Sequence, residues 1–181
     1  KNLKLAEYYD ATRILSKRLS KWSKNLDKVD QKYVICSGGG PGIMKAANRG
    51  ASEAGKKTVS LGISLPFENS PNQYVPQELN FEFHYFFTRK FWFSYLAEAY
   101  VIMPGGFGTL DEFFEILTLI QTGKMEGVPI VLFGKNYWTK LINFETLVDY
   151  GVIERKDLDL FFITSSVDEA YEHIISNLNL K

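Results

Sequence analysis

The sequence predicts an α/β protein of the Rossmann-like kind, a three-layer α/β/α arrangement around a mostly parallel sheet. Three observations lead there. Short apolar runs alternate with helix-like stretches along all 181 residues, and strands that are apolar throughout suit a parallel sheet covered on both faces. Two glycine loops, Ser37-Gly38-Gly39-Gly40-Pro41-Gly42 and Pro104-Gly105-Gly106-Phe107-Gly108-Thr109, each follow such a run and lead into a helix-like stretch. Seven of the 14 glycines lie in these loops, so glycine is concentrated where strands hand over to helices. Finally, 45% hydrophobic and 15% aromatic residues suffice for a sizeable core in one domain spanning 1–181.

The elements follow in order. Lys4 to about Lys24 reads as an amphipathic helix with Leu5, Tyr8, Tyr9, Thr12, Leu15 and Leu19 on one side. Strand Tyr33–Cys36 leads through the first glycine loop into a small-residue helix from about Ile43 to Ala54, stopped by Gly55. Thr58–Leu65 is the next strand, and Pro66 to Gln77 is a polar, proline-containing loop, a lid or substrate rim. Phe81–Phe87 alternates as a strand does, and Thr88 is placed to cap a helix running to Ala99. Strand Tyr100–Met103, the second glycine loop and helix Thr109–Thr122, ended by Gly123, come next. Strand Pro129–Phe133, helix Tyr137–Tyr150, strand Leu160–Thr164 and a last helix capped near Ser166 complete the pattern. A doubly wound sheet normally opens on a central strand, whereas this sequence opens in a helix without an initiating methionine. The expectation is that a first strand precedes it.

Composition narrows the function. Lysine plus arginine (21) balances aspartate plus glutamate (21), which argues against a nucleic-acid partner, since that needs a basic face. Cys36 is single, so no internal disulfide forms, and a small buried thiol is the expectation. His84 and His173 stand far apart with no Cys/His cluster, so no metal site is expected. No apolar run approaches transmembrane length and no signal peptide is recognisable, which suggests a cytoplasmic protein without a membrane partner.

The loops themselves point to a phosphate. Backbone N–H groups at a helix N-terminus are open to an anion, and the helix dipole favours it. Neither loop fits G-x-G-x-x-G, because Ile43 takes the third position, and neither closes with Gly-Lys-Ser/Thr, so dinucleotide and triphosphate readings are weak. Gly38, Gly39, Gly40, Gly42, Gly105, Gly106, Gly108 and Thr109 are the candidate phosphate-binding residues. Arg89 and Lys90 fall in the expected first turn of their helix, where cations oppose the dipole; an anionic ligand removes that conflict. Around them Phe86, Phe87, Phe91, Trp92, Phe93 and Tyr95 make a helix apolar on most sides, which belongs in a core or an interface. Glu112 supports two readings equally. Thr109-Leu110-Asp111-Glu112 is a capping box; alternatively the carboxylate faces the phosphate-lined crevice, where it stabilises a developing cation or activates water. Glu115, one turn later, is placed to assist.

These residues together resemble one family. Residues 37–51 (Ser-Gly-Gly-Gly-Pro-Gly-Ile-Met-Lys-Ala-Ala-Asn-Arg-Gly-Ala), Arg89-Lys90 and Pro104-Gly-Gly-Phe-Gly-Thr-Leu-Asp-Glu112 look like the LOG ("lonely guy") proteins, long labelled possible lysine decarboxylases. Residues 38–44 (Gly-Gly-Gly-Pro-Gly-Ile-Met), Ser64-Leu65-Pro66-Phe67-Glu68 and Leu119-Ile120-Gln121-Thr122-Gly123-Lys124 are more similar to the longer bacterial branch than to the short plant-type one. The resemblance implies a phosphoribohydrolase that cleaves the N-glycosidic bond of a nucleoside 5′-monophosphate, releasing free base and ribose 5-phosphate without a cofactor. It implies Arg89 and Glu112 as the catalytic pair, phosphate on the glycine loops and Thr109, and a homodimer or larger assembly pairing through helices near the aromatic cluster. Lys45 stands where that family commonly has glutamate, and the family's first strand with its Gly-Ser loop is absent from these residues. A non-catalytic nucleotide-binding or carrier module of the same fold is the competing reading. Nothing marks a pyridoxal-phosphate lysine with its supporting partners.

Overall fold

The computed structural model describes residues 5–26, 33–64 and 72–178. The chain divides into two compact units, one running to Leu96 and the other beginning at Ala97. Each carries its own three-stranded sheet, and every pairing is parallel. The expected start at Lys4, Pro66 of the expected loop and the Leu65–Glu68 part of the family-like motif lie outside the described residues.

The first unit contains α1 (Ala6–Lys24), β1 (Cys36–Ser37), α2 (Ile43–Glu53), β2 (Val59–Ile63), β3 (Asn80–Phe83) and α3 (Phe86–Leu96). The strand order is β1-β2-β3, with Cys36 opposite Val59 and Ser60 opposite Asn80. β1 is shorter than the apolar run predicts, although the Ile35 carbonyl still accepts from the Val59 N–H at 2.9 Å. Ser37 points inward and the period-two alternation turns Cys36 the other way, so that residue is exposed rather than buried, although desolvation around its sulfur still pushes the thiol up to about 12. A 3-10 turn over Gln77–Leu79 precedes β3.

α1 buries a different stripe from the one its large residues suggest. Thr12 and Leu15 are buried as expected, but their companions are Ser16, Ser20 and Ser23, while Leu5 is exposed. The cause is the partner helix. Gly50 of α2 lies so close to the Arg13 carbonyl that no Cβ fits there, and helices this close leave room only for small side chains. The serines then need partners: Ser16 Oγ donates to the Ala47 carbonyl at 2.5 Å and Ser23 Oγ to the Tyr33 carbonyl at 2.8 Å. At the rim, Glu53 accepts from Arg13 Nε at 2.7 Å and Arg49 Nε at 2.9 Å, with Lys17 Nζ at 3.4 Å. α2 ends where expected, with Gly55 at φ +70°.

The second unit contains β4 (Tyr100–Ile102), α4 (Phe107–Gln121), β5 (Ile130–Phe133), α5 (Lys135–Leu141), α6 (Phe144–Asp149), β6 (Phe162–Thr164) and α7 (Val167–Asn177). β5 is central and wholly buried, between β4 and β6. The single helix expected over Tyr137–Tyr150 is two helices, because Ile142 is extended and Asn143 becomes the N-cap of α6. The break turns Phe144 onto Phe113 and Phe161, with ring centroids 6.2 and 4.7 Å away. Trp138, fully buried, donates its indole N–H to the Phe133 carbonyl at 3.0 Å and packs its ring, tilted, 5.7 Å from Phe113. A 3-10 turn over Arg155–Leu160, begun by a Glu154/Asp157 capping box, was not legible in the hydrophobic pattern. α7 begins as expected, with Ser166 Oγ accepting from the Glu169 N–H.

The Glu53 cluster makes a pH-dependent contribution. Hydrogen bonds from Arg13 first, then from Arg49 and Lys17, hold the Glu53 carboxyl down to about 2, against an ordinary 4.5. A depressed folded-state value contributes stability above the unfolded value, and that contribution is lost as the pH falls through the folded one. Glu53→Gln therefore melts below the parent protein at pH 7, and the difference in Tm closes between pH 4.5 and 2. A gap that stays constant over that range removes Glu53 from the α1–α2 interface.

Candidate functional site

The expected site residues fall on both units: the first glycine loop, Arg89 and Lys90 on one, the second loop, Glu112 and Glu115 on the other.

In the first unit the glycines have separate reasons. Gly39 is at φ +75°, and a Cβ there would lie 2.8 Å from Ser60 Cβ on β2. Its N–H donates to Ser37 Oγ at 3.1 Å, so this amide is already committed within the protein. Gly42, at φ +69°, is the N-cap of α2 and has open space around it. Gly40 lies half-buried between them. A Cβ at Gly38 would reach within 2.7 Å of Met44 Sδ and 4.0 Å of an Arg89 guanidinium nitrogen. Arg89 therefore lies beside the first loop.

α3 begins earlier than expected. Thr88 is inside it, with its hydroxyl donating to the Tyr85 carbonyl at 2.8 Å rather than capping the helix. Arg89 and Lys90 become the fourth and fifth helical residues, beyond the first turn, and the dipole conflict is correspondingly weaker. The Arg89 guanidinium lies over the rings of Phe86 and Phe93, 5.4 and 5.5 Å from their centroids. No residue of α3 is buried; Phe86, Phe87, Phe91, Trp92 and Tyr95 are exposed, with Phe91, Trp92 and Tyr95 packed on one another and Phe91 stacked on Tyr95 at 5.2 Å. Of the two places expected for this apolar helix, the core of its own unit is thus ruled out. The first turn of α2 holds no acidic residue, and Lys45 lies over the Tyr74 ring at 5.9 Å. Helix dipole, Arg89 and Lys45 together make the loop electropositive.

In the second unit α4 also begins earlier than expected, at Phe107, with Gly106 as N-cap and no side-chain cap. The N–H groups of Thr109 and Leu110 both donate to the Gly106 carbonyl, at 3.0 and 3.1 Å. The capping box is therefore absent: Thr109 is the third helical residue and Glu112 the sixth. Thr109 instead folds its side chain onto Gly105, where a Cβ would collide with it, whereas Gly106 and Gly108 face open space. The Tyr137 hydroxyl donates to the Gly105 carbonyl and fixes the loop from α5. Phe113 and Ile116 anchor α4 in the core, which sets Glu112 and Glu115 half-buried beside that stripe. One oxygen of each carboxylate is shielded from solvent.

Sequence reasoning missed Asn48, which is fully buried on α2, and Tyr137. Both act through hydrogen bonds between residues distant in sequence, and no local pattern announces those. Among the described residues no group of side chains could hold a metal ion, and no helix is long and apolar enough to cross a membrane.

Comparison with known proteins adds the following. Residues 44–174 match the family described as "Possible lysine decarboxylase". A cytokinin riboside 5′-monophosphate phosphoribohydrolase of Arabidopsis thaliana is 26% identical over 161 residues, covering 83% of this chain and 66% of the relative. One of Rhodococcoides fascians is 33% identical over 72 residues, covering 39% of this chain and 34% of the relative. The chain thus spans less than two thirds of the length of these relatives. Among solved structures, the molybdenum cofactor carrier protein of Chlamydomonas reinhardtii superimposes with a TM-score of 0.60 at 18% identity, covering 91% of this chain and 86% of that one. The likeness establishes the Rossmann-like α/β fold.

The two glycines of the second loop separate cleanly in their expected effects. Gly105→Ala must displace Thr109 and costs about 1–3 kcal/mol, whereas Gly106→Ala meets open space and changes stability by less than about 0.5 kcal/mol. Denaturant melts of the two variants check this; equal losses would contradict the close packing of Thr109 on Gly105.

Proposed function

The chain belongs to the possible lysine decarboxylase family, the LOG family, and on that premise we propose that it is a hydrolase of nucleoside 5′-monophosphates. It cleaves the N-glycosidic bond of a purine or cytokinin-type nucleotide to free base and ribose 5-phosphate. The observation that carries this reading is the phosphoribohydrolase name borne by relatives from a plant and from a bacterium.

In this reading the phosphate is held by N–H groups of the glycine loops and by Thr109, with Lys90 and the Arg89 guanidinium as cationic partners. Arg89 orients the phosphate or ribose, so that binding energy goes into positioning. Departure of the base leaves an oxocarbenium-like ribose. Glu112, relieved of any capping role, stabilises that cation and orients water or the ribose hydroxyls, with Glu115 in support. The loops meet the substrate with backbone rather than long side chains, so Gly106→Ala, although folded, loses affinity.

A second reading has its own observation. The carrier protein of the same fold supports a non-catalytic nucleotide-binding module, which would retain nucleotide without releasing base. The exposed aromatic face of α3 supports self-association as a homodimer or larger assembly, and no nucleic-acid or membrane partner is invoked.

The test is free-base release by the full-length protein from AMP and from isopentenyladenosine monophosphate, beside Glu112→Gln. Release by the parent protein, with kcat lowered about 10²–10³-fold in the variant, supports the hydrolase. Binding by both proteins with release by neither replaces it with the carrier. For assembly, Phe91→Glu should shift the light-scattering mass towards the monomer; an unchanged mass places the interface elsewhere.

A further inference from the structure

We propose that Asn48 is a positioning residue for the first glycine loop, holding it by a directional chain of buried hydrogen bonds that also ties down the loop at Asn72. The proposal rests on the nucleotide-site reading of that loop.

The direction of the chain follows from its fixed ends. Asn48 Nδ2 lies 3.2 Å from the Val59 carbonyl and 2.8 Å from Thr58 Oγ1. A carbonyl only accepts, so the amide nitrogen faces β2 and Oδ1 faces the other way. Oδ1 is 2.6 Å from Ser37 Oγ and 2.9 Å from Asn72 Nδ2. The Ser37 hydroxyl therefore gives its proton to Asn48, much the nearer acceptor beside the Met44 carbonyl at 3.4 Å, and keeps its lone pairs for the Gly39 N–H, 3.1 Å away. Thr58, likewise, accepts from Asn48 and donates to the Ile35 carbonyl at 2.6 Å. Asn72 Oδ1 accepts from the Tyr74 N–H at 3.2 Å, and the Tyr74 ring lies under Lys45.

Asn48 and Thr58 have no solvent exposure, and Ser37 and Asn72 are 9% exposed. Buried, fully bonded polar chains fix one geometry, because any alternative strands a donor or an acceptor. Here the fixed object is the Gly38–Gly39 peptide. By drawing the Gly39 N–H inward, Ser37 sets which amides of the loop remain outward at the start of α2. Asn72 couples that setting to the rim at Tyr74. Asn48 contacts no ligand in this account; it acts through Ser37 and Asn72.

Ser37→Ala removes the link from Asn48 to the loop while leaving Asn48 its other partners, and Ser37→Thr restores the hydroxyl. Asn72→Asp removes the donor to Asn48 but keeps the acceptor for Tyr74. In the full-length protein, Ser37→Ala and Asn72→Asp should raise the KM for AMP about tenfold with kcat within about twofold, and Ser37→Thr should recover most of the loss. KM unchanged, or kcat falling in step with Tm at constant KM, overturns the positioning role. Should the parent protein release no base, the hydrolase reading fails by itself. The Kd for AMP by calorimetry then takes the place of KM, with a tenfold weakening in Ser37→Ala supporting the role and an unchanged Kd overturning it.

Discussion

A carboxamide with no solvent contact costs several kilocalories per mole unless its hydrogen-bonding positions are filled, and at Asn48 all four are: two donors to Thr58 and Val59, two acceptors from Ser37 and Asn72. The first unit depends on this constraint. The amide joins β1, α2, β2 and the loop at Asn72, and the chain's other close approaches are arranged around it. Gly39 must be small because β2 is brought within reach of it, and Gly50, two residues along the same helix, must be small because α1 is. A polar hub of this sort specifies geometry where an apolar core would tolerate slippage. A loop that recognises a ligand with backbone amides needs that kind of rigidity, since it has no side chain to readjust.

The second unit reaches a comparable end by different means. Its frame is aromatic: Phe113 packs against Trp138, Phe144 and Phe161, and α4 is anchored through Phe113 and Ile116. Only two polar or steric details are then needed to shape the second glycine loop, the Tyr137 hydroxyl on the Gly105 carbonyl and the Thr109 side chain on the Gly105 Cα. Because α4 is held by its apolar stripe, the residues next to that stripe have no freedom to swing away. Glu112 and Glu115 are half-buried for that reason rather than through any preference of their own.

What the sequence could reveal follows the range of the forces involved. Alternating apolar runs and glycine stops are local, and the existence of the strands, the parallel pairing, the ends of α2 and α4 and the Ser166 cap are legible from them; the strand expected over Phe81–Phe87 instead ends at Phe83, because Phe86 and Phe87 open α3. The starts of α3 and α4 are not legible, because Thr88 and Thr109 have the chemistry of caps and the competing starts, at Phe86 and at a Gly106 cap, have none. The α1 stripe was misjudged for a related reason: hydrophobicity favours Leu5 and Tyr8, but the closeness imposed by Gly50 favours serine. The break at Ile142 has no glycine or proline to signal it; it is made by Phe144 turning to the core. Asn48 was invisible because its partners are drawn from residues 37, 58, 59 and 72, which only the fold brings together.

The two functional readings share everything that the first unit supplies. An electropositive loop with fixed amides suits a carrier of an anionic ligand as well as it suits a hydrolase. They part at α4. Glu112 is the sixth residue of that helix, about 9 Å along its axis from the loop, and is followed one turn later by Glu115. On the proposed reading, two half-buried carboxylates one and two turns into α4 would not help a protein whose task is only to hold an anion, since like charges repel. The capping role that would have excused Glu112 is taken by the backbone at Gly106. In the hydrolase proposed above, a carboxylate at that position is suited to a positive charge that exists only while a glycosidic bond is breaking. An interaction made with the transition state and not with the bound ground state is the physical reason the hydrolase is proposed ahead of the carrier.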